Sequence, residues 1–263
     1  MIGQKHITSW IDANISVLPH FLVFVGDKGS GKRTVSKYVA DKLGATYSEI
    51  GIKVDDVREV IETASLSATK VLYCFADADN MRPEAKNAML KITEEPPKNA
   101  YFVLTVQDDV SLLDTIKSRA QVFRMAPYSK QELAEYAKLQ NYQLDMFEGA
   151  CMTPGDADVL STYNATEFLE YVRLVIDNIA EVEPANAFKS ASRLAIKSDE
   201  GYDLALFWRV FNKLLADNLT ADNSRYAVGI IITSEYVNKV QKLGVNKQQL
   251  YDSWVFDIRK AWV

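Results

Sequence analysis

The stretch FLVFVGDKGSGKRT, residues 21–34, decides the architecture of the first half of this chain. It opens with five apolar residues, Phe21-Leu22-Val23-Phe24-Val25, and ends that run at a glycine. An unbroken apolar run of this kind predicts a strand buried on both faces rather than one with a wet side. From Thr34 to Leu43 a helix is predicted, with Val35, Tyr38, Val39 and Leu43 on one side and Gly44 as its stop signal. Between strand and helix lies Gly26-Asp27-Lys28-Gly29-Ser30-Gly31-Lys32, a G-x-x-x-x-G-K pattern in the context a phosphate-binding loop requires. Gly26, Gly29 and Gly31 let successive backbone N–H groups turn inward, the helix N-terminus adds a favourable dipole, and Lys32 is spaced to reach β and γ phosphates.

The eighth position of that loop departs from the pattern. It calls for Ser or Thr, whose hydroxyl helps to hold Mg²⁺, and here it is Arg33. A guanidinium carries donors only and a fixed positive charge, so it cannot ligate a cation. Thr34 comes one residue late and is placed for an α-phosphate at most. Phosphate binding is therefore expected to survive, and efficient hydrolysis is not.

Outward from the loop, Val71–Phe75 and Tyr101–Val106 read as further buried strands. Between them Pro83–Glu95 reads as a helix, with Ala85, Ala88, Met89 and Ile92 at helical spacing, closed by Pro96-Pro97. Alternating strands and helices predict an α/β domain with a mostly parallel sheet. After Pro127 the periodicity is helical. Ser129-Lys130-Gln131-Glu132 has the form of a capping box, and Thr153-Pro154-Gly155-Asp156 reads as a turn between helices. Leu206, Val210, Phe211, Leu214 and Leu215 form one apolar stripe; Trp254, Val255, Ile258 and Trp262 form another. Glu181–Asn186 marks a boundary between helical parts, and Lys197–Glu200 reads as a solvated loop.

The region 76–119 carries a resemblance. Ala85, Asn87-Ala88-Met89-Leu90-Lys91, Glu94-Glu95-Pro96-Pro97 and Thr115-Ile116-Lys117-Ser118-Arg119, together with Ile2-Gly3-Gln4, resemble the clamp-loader branch of the AAA+ ATPases, above all the δ′ kind of bacterial DNA polymerase III. These motifs cover roughly residues 2–125; the second half matches only in its type of structure. The resemblance implies an AAA+ domain over 1–127, a small helical lid over 128–182 and an all-α collar for oligomerisation over 183–263. It implies ATP as the nucleotide, bound without efficient hydrolysis. Other clamp-loader subunits are the implied partners in a hetero-oligomer, with the sliding clamp and primed DNA reached through the complex, in the cytoplasm.

Set against the family's pattern, the chain's own hydrolytic parts are damaged. Relatives carry Asp-Glu at the end of the second motif strand; here Ala76 and Asp77 stand in those positions. Relatives carry a phosphate-sensing arginine in the lid, and Pro154-Gly155-Asp156-Ala157-Asp158 has none. The four-cysteine zinc insertion is missing, since no cysteine lies between Gly44 and Val71, so no zinc is expected. Ser118-Arg119 is kept. In this family that arginine enters a neighbouring subunit's ATP site, so the resemblance assigns Arg119 as a finger acting in trans, a role worth several orders of magnitude in rate. Gln107 lies near the family's polar γ-phosphate sensor.

Bulk properties agree. A net charge of -5 argues against a protein that grips nucleic acid alone, because phosphate binding draws on concentrated Lys and Arg. Two cysteines, Cys74 and Cys151, cannot make a four-cysteine site, and a reduced intracellular setting is expected. Residues 1–10 lack the form of a signal peptide, and no apolar run reaches the ~18 residues of a spanning helix. His6 and His20 have no metal-like or triad-like setting, and Asp108-Asp109 reads as a solvated pair. Two other readings stay open. One is an active motor-type clamp-loader ATPase that holds magnesium through Asp77 or Asp79; the other is a non-catalytic interaction protein built on the same scaffold.

Overall fold

The computed structural model describes residues 1–108, 110, 112–147, 149–180, 201–220, 223–240 and 245–262. Glu181–Asn186, Lys197–Glu200 and Asp109 lie outside them. The chain divides into two compact units, one comprising Met1–Glu132 with Thr153–Gly155, the other Leu133–Met152 with Asp156–Val263.

In the first unit five strands form one sheet: β1 (Phe21–Val25), β2 (Thr46–Ile50), β3 (Val71–Phe75), β4 (Ala100–Val106) and β5 (Gln121–Arg124). Their order is β2-β3-β4-β1-β5, and every pairing is parallel. The two expected strands around the helix and the apolar run at 21–25 are all there. β1 is buried along its whole length, because its side chains alternate into two different cores. Phe21, Val23 and Val25 join Phe75, Phe102, Leu104 and Met89 on one face. Leu22 and Phe24 join Ile7, Val35, Val39, Leu72, Cys74 and Val103 on the other. Helices α1 (Lys5–Asn14) and α2 (Lys32–Leu43) supply residues to the second core, while α3 (Val54–Thr63) and α4 (Pro83–Glu94) supply the first.

Parallel strands share their ends. The exits of β1, β3 and β4 therefore line one edge of the sheet, and the entries to β4 and β5 line the opposite edge. A short helix, α5 (Asp114–Lys117), carries the chain toward β5. The edge of strand exits is where open parallel sheets hold ligands.

The first residues are stitched to this unit by an amide. Gln4 is buried, donates from Nε2 to the Ala126 carbonyl (2.8 Å) and accepts the Ala126 N–H on Oε1 (2.8 Å), as a neighbouring strand would. Gly3 makes this possible: at φ +68 it passes the Tyr128 ring so closely that a Cβ would lie 2.5 Å from Cε1. The Ile2-Gly3-Gln4 motif thus has a packing reason.

Helix α6 (Lys130–Gln140) starts on the expected capping box: the Glu132 carboxylate accepts Ser129 N–H at 2.8 Å, and Ser129 Oγ accepts Glu132 N–H at 3.2 Å. The expected turn at 153–156 is corrected. Helix α7 (Pro154–Ser161) already begins at Pro154, since proline lacks an N–H that a first helical turn would leave unpaired anyway.

In the second unit, α7 is followed by α8 (Ala165–Asn178), α9 (Leu204–Asp217), α10 (Arg225–Val240) and α11 (Lys247–Trp262). Caps start two of them as their sequences demand: Asn164 Oδ1 accepts Glu167 N–H, and Asp203 Oδ1 accepts the N–H groups of Ala205 and Leu206. Both expected stripes are buried. Phe207 and Phe211 meet Trp254 edge-on, with centroids 5.7 and 5.0 Å apart. Trp254 Nε1 donates to Thr233 Oγ1 at 2.8 Å, so the indole is buried without losing its hydrogen bond. Asp156 and Arg209 form a bidentate pair at 2.8 and 2.7 Å, and Asp156 also accepts Met152 N–H. Among the described residues no helix is long and apolar enough to cross a membrane.

Candidate functional site: the phosphate loop and the two arginines

The loop leaves β1 at the edge of strand exits and enters α2 directly. Gly29 and Gly31 take φ +79 and +88, the left-handed region that glycine enters without strain. Gly29 has a second reason to be glycine. Gly155 N–H donates to its carbonyl at 3.0 Å, and a Cβ on Gly29 would stand 2.8 Å from Gly155 Cα. From the Gly155 side the approach is tighter still, 2.4 Å to Gly29 Cα. Thr153 Oγ1 adds a bond to the Lys28 carbonyl at 3.4 Å. Tyr128, positioned by the Gln4 stitch, donates its hydroxyl to the Ser30 carbonyl at 3.0 Å. Burial pushes the Tyr128 hydroxyl above its ordinary pKa.

Inside the loop Lys32 is buried and donates from Nζ to the carbonyls of Gly26 (2.5 Å) and Asp27 (2.8 Å). Its burial lowers the ammonium's pKa, against the fields of Asp77, Asp79 and Asp27, which favour the charge. The Ser30 hydroxyl is buried and, among the described residues, has no hydrogen-bond partner. It lies beside Gly26, 3.1 Å from where that residue's Cβ would stand. Thr34 is exposed on the first turn of α2. Loop conformation, Lys32 and the free hydroxyl fit a chain of phosphates.

They do not fit the metal that normally accompanies one. Arg33 reaches across to the end of β3, with Nη2 3.3 Å from Asp77 Oδ2, and its Nε lies 3.4 Å from Glu49 Oε1 at the end of β2. All three side chains are about half exposed, so the pairs are exchangeable and each is worth little alone. Their arrangement still places a guanidinium between the helix start and the strand end, with Ala76 offering no carboxylate. Asp77 takes φ +54, a conformation aspartate tolerates, and its N–H donates to Thr105 Oγ1 at 3.0 Å. Asp79 is buried and accepts the Gln107 N–H at 3.1 Å. That bond uses the Gln107 backbone.

Arg119 lies elsewhere. It follows α5 and precedes β5, at the edge of strand entries opposite the loop. Its Nη1 donates to the Thr115 carbonyl at 3.0 Å, its Nη2 is 3.7 Å from Glu94 at the end of α4, and its side chain is 41% exposed. The structure thus brings Gly26, Gly29, Gly31 and Lys32 together and sets Arg119 apart.

Sequence reasoning missed Glu49, Tyr128 and the Gly155 contact. Glu49 belongs to β2, a sheet-edge strand whose side chains are largely half-exposed or exposed, so no apolar run announced it. Tyr128 depends on Gln4 far away in sequence. His6 and His20 behave as expected, bonded to the carbonyls of Arg124 (3.1 Å) and Ala100 (2.7 Å). Cys74 and Cys151 are both buried, and burial raises the Cys74 thiol's pKa. No group of metal-ligating side chains is found among the described residues.

Residues 45–129 match the family described as DNA polymerase III, delta subunit. The DNA polymerase III subunit delta′ of Haemophilus influenzae is 37% identical over 91 residues, covering 33% of this chain and 28% of that protein. Replication factor C small subunit 1 of Pyrobaculum aerophilum is 29% identical over 206 residues, 69% of this chain and 62% of its own length. The DNA polymerase III subunit gamma of Buchnera aphidicola from Schizaphis graminum is 27% identical over 175 residues, 52% of this chain and 47% of its own length. The chain thus spans about half to three-fifths of the length of these last two relatives. In fold it is similar to a DNA polymerase III gamma subunit-related protein of Thermotoga maritima, with a TM-score of 0.56 at 17% identity, covering 97% of this chain and 99% of that one. The RuvB of the same organism gives 0.52 at 15% identity, over 82% and 76%. In its parallel sheet, in the phosphate loop at the exit edge and in these relatives the chain is similar to the clamp-loader branch of the AAA+ family.

Proposed function

We propose that this chain is the δ′-like member of a DNA polymerase III clamp loader. It works as a stator that hydrolyses no ATP of its own and lends Arg119 to a neighbouring subunit. The observation that carries the reading is the Arg33 bridge to Asp77 and Glu49, which sets a permanently charged guanidinium where the metal would be expected. Arg119 is likewise part-exposed, at the opposite edge, and is held by one backbone carbonyl and one long ion pair. Such a tether orients the side chain while leaving it free to exchange partners.

In this reading ATP held by the neighbour supplies the driving force, through transfer of its γ-phosphoryl group to water. Arg119 stabilises the charge that develops there, since a guanidinium offers fixed donors in a water-poor interface. The helical second unit serves as collar and lid along the proposed 128–182 and 183–263 division, and the sliding clamp and primed DNA are engaged through the assembled complex in the cytoplasm. In Gly26, Gly29, Gly31, Lys32 and Thr34 the chain retains a nucleotide cradle without the residues that would break the nucleotide down.

The test is turnover by the isolated full chain, with magnesium, ATP and primed DNA. No release of phosphate above background is expected, together with co-purification with the other clamp-loader subunits. Steady DNA-stimulated turnover would instead mean a motor subunit, with Asp79 or Asp77 redeployed as a metal ligand. Failure to join any clamp-loader complex would mean a scaffold put to another use.

A further inference from the structure

The phosphate loop contains a mismatch: a cradle that suits phosphates and a metal position that suits no metal. A nucleoside triphosphate normally enters such a loop with Mg²⁺, held in part by the hydroxyl at the eighth position. Here the eighth position is Arg33, and the carboxylates it faces, Asp77 and Glu49, are engaged by the guanidinium at 3.3 and 3.4 Å. We infer that Arg33 is the loop's resident cation, and that the loop takes a nucleoside triphosphate without a divalent metal.

Three observations carry this beyond the motif. First, neither carboxylate engages Nη1: the bonds to Asp77 and Glu49 use Nη2 and Nε, which leaves Nη1 with two N–H donors for phosphate oxygens. Second, the Ser30 hydroxyl is buried beside Gly26 and has no partner among the described residues, a cost that a phosphate oxygen would relieve. Third, the ammonium of Lys32 is buried inside the loop on two carbonyls, a few residues from that hydroxyl, so the loop already presents two fixed positive charges. A divalent ion arriving with the nucleotide would meet the guanidinium rather than an oxygen ligand. With Ala76 just past the end of β3, the carboxylates nearby are already engaged, Asp77 and Glu49 by the guanidinium and Asp79 by the Gln107 N–H.

The inference rests on the non-hydrolysing reading above, and one titration separates the two. ATP is titrated into the full chain by calorimetry, once with excess magnesium and once with excess EDTA, and phosphate release is measured in the same samples. The wild-type dissociation constant is expected to agree within about twofold between the buffers, a difference below ~0.5 kcal/mol. Arg33→Thr, a substitution of a half-exposed side chain, is expected to weaken binding in EDTA by about tenfold and to recover much of it with magnesium. Arg33→Lys, which keeps the charge, should stay metal-independent. Lys32→Ala should abolish the heat in both buffers, which ties the signal to this loop.

Wild-type binding that needs magnesium by about tenfold or more would overturn the inference, as would absence of binding in both buffers. Persistence of the heat in Lys32→Ala would do the same. Those results leave the stator reading standing, whereas phosphate release by the wild type would defeat that reading itself.

Discussion

The two edges of one sheet in this protein have opposite characters. At the edge of strand exits several charged groups are engaged within the site. Lys32 is folded onto two carbonyls, Arg33 onto two carboxylates, Asp79 onto a backbone N–H, and the loop tip lies against Gly155. At the edge of strand entries Arg119 is held by one backbone carbonyl and stands 3.7 Å from a single carboxylate, that of Glu94. A site that works on its own ligand would leave its charges free and aimed. On the function proposed above, the exit edge is the quiet one, and the entry edge faces outward to lend its arginine to a neighbour.

The largest effect should come from the outward edge. Arg119→Ala, assembled into the reconstituted complex, is expected to lower ATP turnover by about a thousandfold, in the range known for arginine fingers. Circular dichroism and complex assembly should be unchanged, because the side chain's contacts are exposed. Turnover within a few-fold of wild type would erase the contrast between the edges.

Next in size is the backbone contact at the quiet edge. Gly155→Ala puts a methyl 2.4 Å from Gly29 Cα, closer than any relaxed contact allows. Segment 153–155 or the loop must shift, at a cost of about 1–3 kcal/mol, readable in the midpoint of urea unfolding. An unchanged midpoint would show that the loop is not braced from that side.

Smallest is the effect of the loop's own lysine on the complex. Lys32→Ala should change clamp-loader turnover by less than about tenfold, or ~1.4 kcal/mol, although the same change in a motor subunit removes a phosphate contact directly. A loss as severe as that of Arg119→Ala would make the quiet edge a working one.

The same contrast governs what could be read in advance. β1 and its loop were legible because two-sided burial yields a continuous apolar run and because the loop's chemistry is local in sequence. The stripes Leu206–Leu215 and Trp254–Trp262 were legible as buried helix faces for the same local reason, since a 3.6-residue period needs no knowledge of the partner. β2 was not, for Thr46-Tyr47-Ser48-Glu49-Ile50 has neither a continuous apolar run nor clean alternation, and it owes its place to pairing with β3. β5, four residues with one fully buried, is equally mute alone. The substitution of Arg33 was visible, but its partner Glu49 was not, because that pairing exists only once β2 lies at the sheet's edge. Within the first unit, what escaped reading is long-range: Gln4 with Ala126, Tyr128 with Ser30, Gly155 with Gly29.

The Arg33 bridge also bears on how such a chain can change over time. Restoring a hydroxyl at position 33 alone leaves Ala76 with no carboxylate to direct a metal. Restoring a carboxylate at position 76 alone leaves the guanidinium in the way. Neither step by itself supplies both the hydroxyl and the carboxylate that a hydrolytic metal site calls for, even if the first restores a magnesium contact to the nucleotide. Under the non-hydrolysing reading proposed above, a hydrolytic site would return only through coupled changes at both positions, a ratchet that leaves the outward arginine free to be refined.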